Sequence, residues 1–139
     1  MSLVEALQDA LAGEHAAVYG YGVVGGVVDT TGPLGQRSVA GYGAHERRRD
    51  RLEARLRELG TEPVPAEPGY ALPAAVVTDG DAQRLARRVE DRCAVLYAAL
   101  VAATTGRQRR EAASWLADAA TRALAWGAPA TALPGVGPS

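Results

Sequence analysis

The segment from Thr61 to Val77 carries Pro63, Pro65, Pro68 and Pro73, and it decides what the rest of the chain can become. Proline fixes φ and supplies no amide donor, so this stretch cannot be helical and is expected to be extended or polyproline-like. About 17 extended residues reach some 50 Å, whereas a helix of about 26 residues is only some 39 Å long. The segment can therefore cross a whole helical bundle and set the helices on its two sides parallel, which a short turn could not do.

Both flanks read as helices. The first is expected over Leu3–Val28, with apolar residues at Val4, Leu7, Leu11, Val18, Tyr21, Gly25 and Val28 in steps of three and four. Pro33 follows a Thr-Thr-Gly turn and suits the first position of a second helix, Pro33–Leu59, with Leu34, Tyr42, Leu52, Leu56 and Leu59 inward and Gly60 as its stop. Thr78 and Asp81 have capping-box spacing and open a third helix to Thr104, with Ala86, Val89, Cys93, Leu96 and Leu100 inward. A fourth, Arg107–Trp126, is expected to bury Ala113, Leu116, Ala117, Ala120 and Leu124. Residues 1–126 thus form one all-α four-helix domain, and the Gly/Pro-rich residues 127–139 form a tail, either an extended strap or disordered.

Composition narrows the function classes. With 47% hydrophobic and 22% charged residues the 139-residue chain suits a single globular domain. All the basic residues are Arg, yet the net charge is −1, which argues against a nucleic-acid partner. The Arg-rich run Glu46–Glu58 is interleaved with acids at ion-pair spacing. Cys93 is the lone cysteine, so a disulfide or a Cys-based cluster within the chain is excluded, and it is expected to be a buried thiol. No basic leader precedes an apolar stretch, and the longest uncharged apolar run, Ala16–Val28, is shorter than the roughly 20 residues of a membrane span. A cytoplasmic protein without membrane contact is the expectation.

Gly20-Tyr21-Gly22-Val23-Val24-Gly25 matches G-x-G-x-x-G, but its setting is helical on one side and a turn on the other, without the strand that a dinucleotide site needs. Close packing of the first two helices through Gly22, Gly25, Gly35 and Gly41 explains it better. Tyr19, Val23 and Trp115 point away from the expected core and offer a surface for a homodimer.

At about 100° per residue, Glu14 lies in the middle of the first helix's apolar arc and His45 in the middle of the second's. Charge at such a place requires a partner or a metal. Counted from the shared end of the bundle, Glu90 falls at the same depth, though roughly 90° from the middle of its own helix's arc, where solvent exposure is the alternative.

The string Glu14-His15-Ala16-Ala17-Val18-Tyr19-Gly20-Tyr21-Gly22, His45 with Arg48–Asp50, Tyr70-Ala71-Leu72-Pro73 and Val89-Glu90-Asp91 resemble a ferritin-like domain family of unknown function found in high-GC bacteria. The resemblance implies a ferritin-like bundle with the Pro-rich crossover between its second and third helices. It also implies a di-iron layer with Glu on helices one and three and Glu-x-x-His on helices two and four. Glu14, Glu90 and His45 match that pattern. Tyr42 stands where the second helix's Glu belongs, and the fourth helix offers Ala119, Ala120 and Thr121 at that depth, with Glu111 and Asp118 on its outer face.

Three readings of the layer follow. In the first, the site is degenerate and non-catalytic, a polar core layer of Glu14, Tyr42, His45 and Arg49 that holds no cofactor and serves a structural or interaction role. In the second, Glu14, His45 and Glu90 bind iron or manganese in a metal-dependent oxidoreductase. In the third, the layer is a pocket for an unidentified small-molecule ligand.

Overall fold

The computed structural model describes residues 1–129 and 133–136. It contains four helices, α1 (Leu3–Val27), α2 (Pro33–Glu58), α3 (Asp79–Ala103) and α4 (Gly106–Ala125), and no strand among the described residues. Local chemistry sets their ends. Thr78 and Asp81 form the expected capping box, and Ser2 with Glu5 forms a second at the start of α1. Gly60 takes φ +73°, which lets Gly60 N–H reach the Arg57 carbonyl and Thr61 N–H the Leu56 carbonyl, both at 2.9 Å. This Schellman closure satisfies the last carbonyls of α2 and turns the chain into the crossover.

The crossover runs the length of α1. At its start the Gln8 side chain donates to the Glu62 carbonyl and accepts from Val64 N–H, each at 2.8 Å. His15 Nε2 donates to the Val64 carbonyl at 2.9 Å. Further along, Tyr70 meets Tyr19, and Leu72 and Val76 join the cluster around Tyr21, Val24 and Val28 at the far end. Hence α3 begins beside the end of α1 and finishes near its start, where Leu100 packs with Leu7 and Leu11. It is parallel to α2, as the length of the Pro-rich segment requires. α1 packs against α2 and α3, and α3 against α4; α2 and α4 leave a groove of about 430 Å³ between them.

Two apolar clusters close the ends of the bundle, one built on Leu7, Leu11, Leu52, Leu56 and Leu100, the other on Tyr21, Val24, Leu85 and Trp126. Close approach of α1 and α2 depends on glycine at Gly41, where a β-carbon would overlap the Tyr21 ring, and at Gly35, where it would overlap the backbone of Asp29 and Thr30. Gly22, expected in the same contact, faces open space.

The fourth helix is rotated by about one residue from its expected phase. It buries Ala112, Ala119 and Ala123, while Ala113, Ala117 and Leu124 are exposed. Its anchors are the two tryptophans: Trp126 is buried in the end cluster, and Trp115 stands edge-on to Tyr97. The three residues expected to share a dimer surface do not share a face. Tyr19 lies under the crossover, Trp115 lines the α2–α4 groove, and Val23 packs on the core. Of the tail, Gly135 rests on α3 at Ala94 and Ala98, and residues 130–132 and 137–139 lie outside the described ones. No helix among the described residues is long and apolar enough to cross a membrane.

Candidate functional site

Midway between the two apolar clusters the helices bring a set of polar side chains to one level. Glu14 of α1, His45 of α2 and Glu90 of α3 are all 0% exposed. His45 Nδ1 lies 2.6 Å from Glu14 Oε2 and its Nε2 lies 2.8 Å from Glu90 Oε1. A neutral imidazole has one N–H, whereas both nitrogens here face carboxylate acceptors, so the geometry calls for the imidazolium. Burial opposes charge on the ring, but the hydrogen bonds and negative charges of Glu14 and Glu90 outweigh it and raise the His45 pKa to about 9.

Tyrosines add a further donor to each carboxylate. Tyr97 O–H donates to Glu14 Oε1, and Tyr21 O–H donates to Glu90 Oε1 at 2.7 Å while accepting from Trp126 Nε1 at 3.0 Å. Burial and the adjacent Glu90 push the Tyr21 phenol up, so it remains a proton donor. Tyr97 is raised by burial and by the neighbouring Cys93 and Glu14. The Tyr97 oxygen in turn accepts from Arg48 Nη1 at 3.2 Å, and Arg48 Nη2 donates to Asp118. Asp118 also accepts from Arg122 Nε at 2.9 Å. One continuous network thus runs from Arg122 on the surface of α4 to Trp126, through all four helices. Its formal charges balance, with His45, Arg48 and Arg122 positive and Glu14, Glu90 and Asp118 negative. Among the described residues, Glu90 Oε2 is the one buried side-chain polar atom without a partner.

Glu90 therefore sits inside the layer, not at the solvent edge its angular position suggested. The α3 stripe that faces inward is Ala82, Ala86, Glu90, Cys93, Tyr97 and Leu100, whereas Val89 and Leu96 are only half-buried. Tyr42 and Arg49 are not in the layer. Tyr42 is 36% exposed, and the Arg49 guanidinium pairs with Asp50 at 3.0 Å and lies 3.9 Å from Glu46. The inner stripe of α2 runs through Ser38, Gly41, His45, Arg48, Leu52 and Leu56, and a one-residue offset rotates a helical side chain by about 100°, which carries Tyr42 and Arg49 outward. Arg48, Tyr97 and Tyr21 take the partner roles. Each is three, four or seven residues from another layer member on its own helix, the signal that would have found them. Asp118, expected on the outer face, reaches the network's edge through Arg48.

The residues do not fit a di-iron centre. That centre needs carboxylate and imidazole from the fourth helix, which offers only the buried methyl of Ala119 at this depth. A set for one ion exists in Glu14, His45 and Cys93, whose donor atoms lie within 4.8 Å of one another. Both His45 nitrogens already donate to carboxylates, however. Burial and the two glutamates also push the Cys93 thiol well up, which keeps it protonated.

An antiparallel-paired four-helix bundle with a long crossover and a charge-balanced polar layer at its centre defines the structural class. A family model described as a domain of unknown function (DUF4439) matches residues 6–138, and the chain belongs to that family. It is also similar to a solved structure, a conserved hypothetical protein, Rv2844, from Mycobacterium tuberculosis. The identity is 36% and the TM-score 0.82, with 88% of this chain and 92% of that chain covered. No curated protein matches.

Proposed function

We propose that this protein is a non-catalytic, cytoplasmic structural or interaction protein, a ferritin-like bundle in which a proton shared among Glu14, His45 and Glu90 occupies the place of a metal centre. The engagement of both His45 ring nitrogens by carboxylates carries the reading. Metal ligation needs a ring nitrogen free of its proton, and an imidazolium between two carboxylates has none to give. Tyr21, Tyr97 and Arg48 support the same conclusion, since they supply donors where a cation would otherwise satisfy the carboxylate oxygens. Full burial of the layer leaves no opening for a substrate. Protein purified without chelator is expected to contain only trace iron and manganese by elemental analysis.

The second reading, a mononuclear metal on Glu14, His45 and Glu90 in an oxidoreductase, is favoured by the unpartnered Glu90 Oε2 and by the proximity of Cys93. Near-stoichiometric iron or manganese that disappears in both Glu14→Ala and His45→Ala would establish it and overturn the first.

A further inference from the structure

On the opposite side of the bundle from the α2–α4 groove, a cleft of about 610 Å³ lies between α1, α3 and the crossover. Its origin is local. The crossover is tied at one end by Gln8 and packed at the other through the half-buried Leu72, so it spans α1 as a strap. Along it, α1 presents Ala12, exposed at the rim, then Ala16 and Gly20 at successive turns, small residues that leave room beside the crossover. Val89 of α3 packs directly on Gly20, so that the two form the cleft floor, and the Tyr19–Tyr70 pair, with ring centroids 5.4 Å apart, closes one side. Tyr70 is held in place because its hydroxyl accepts from Glu67 N–H at 3.0 Å.

The charges at the rim are unbalanced. Arg88 and Arg92 stand one turn apart on α3, both line the cleft, and both are exposed. Neither makes an ion pair among the described residues. Glu67 is the one acid in the lining, so the rim keeps a positive charge. Like charges at this spacing repel each other, and an anion held between them relieves the repulsion. A mostly apolar cleft within the roughly 300–1,000 Å³ of small-molecule sites, with a few convergent polar groups, is built for a ligand of mixed character.

We propose that this cleft binds a monocarboxylate with a hydrocarbon body, its carboxylate held by Arg88 and Arg92 and its chain laid along Ala16, Gly20 and Val89 under Tyr19 and Tyr70. Guanidinium and carboxylate match as charge-assisted hydrogen-bond partners, and the apolar walls contribute by area removed from water. The buried polar layer is not involved.

Titration calorimetry of the full chain with decanoate, decanol and decyltrimethylammonium tests this. Decanoate is expected to bind saturably at one site, decanol more weakly, and the cation not at all. The Arg88→Gln/Arg92→Gln double variant should weaken decanoate by about tenfold or more and leave decanol unchanged. Ala12→Trp, at an exposed rim position that leaves the core untouched, should block both. Absence of saturable decanoate binding to the folded chain would overturn the proposal. So would equal affinity for decanoate and decanol, or decanoate binding that survives Ala12→Trp.

Discussion

His45 and Glu90, 45 residues apart, meet through Nε2 and Oε1 at 2.8 Å in a layer with no surface exposure. Their contact exists because the crossover sets α2 and α3 parallel, which puts the two at one depth across the bundle. With Glu14 on the other ring nitrogen, the imidazole joins three helices by two charge-assisted hydrogen bonds.

Removing the imidazole should be costly in a particular way. His45→Leu leaves two buried carboxylates facing each other without a cation, so unfolding in urea is expected to show a loss of about 3–5 kcal/mol. Adding Glu14→Gln and Glu90→Gln to that variant should recover part of the loss. A triple variant less stable than His45→Leu would show that charge is not the source of the penalty.

Stability should fall with rising pH in a defined window. Because the folded-state pKa of His45, about 9, lies above its ordinary 6.5, its contribution is fully present below about pH 6.5. It is lost progressively up to about pH 9, and amounts to about 3 kcal/mol. The raised Cys93 thiol acts with the same sign at the alkaline end, since the unfolded chain loses that proton first. Denaturation midpoints of wild type and His45→Gln, compared between pH 6 and 9, should converge as pH rises. Parallel curves would contradict the assignment.

Two adjacent arginines should differ sharply in what they contribute. Arg48→Met strips Tyr97 and Asp118 of a buried partner and is expected to destabilise by about 2–4 kcal/mol. Arg49→Met removes a partly exposed ion pair and should stay within about 0.5 kcal/mol of wild type. Equal effects would mean that the network ends at Tyr97.

Glycine substitutions separate close approach from composition. Gly41→Ala drives a methyl into the Tyr21 ring and should cost about 1–3 kcal/mol. Gly22→Ala meets nothing and should stabilise α1 by about 0.5–1 kcal/mol. Thermal unfolding of the pair reads both signs at once.

The helices and their order were legible because punctuation carries strong local chemistry: Pro33, Gly60, the Thr78–Asp81 box and the four prolines of the crossover. Glu14 and His45 were legible for a different reason, since an ionisable group in an apolar arc has few explanations. Phase within a helix was harder to read. Alanine suits a buried and an exposed position nearly alike, so an alanine-rich helix has little contrast between faces. On α4 that lack of contrast turned attention to Leu124, which is exposed, and away from Ala112, Ala119 and Ala123. On α3 it centred the core on Val89 and Leu96, leaving Glu90 at the edge of the arc with solvent as an alternative and Tyr97 unnoticed. On α2, where Arg47, Arg48 and Arg49 are consecutive and few apolar residues mark the inner face, Arg49 looked like the inner arginine when Arg48 is. Tertiary partners such as Asp118 and Trp126 had no local signature at all, because their roles arise from helices far apart in sequence.

The protonation state of His45 in the folded protein tests the account most directly. Nitrogen-15 NMR of histidine-labelled protein resolves the two ring nitrogens and reports whether each carries a proton. The account predicts that at pH 7 both do, with titration only near pH 9. A neutral ring titrating near its ordinary pKa, or a nitrogen shifted by a bound metal, would contradict it.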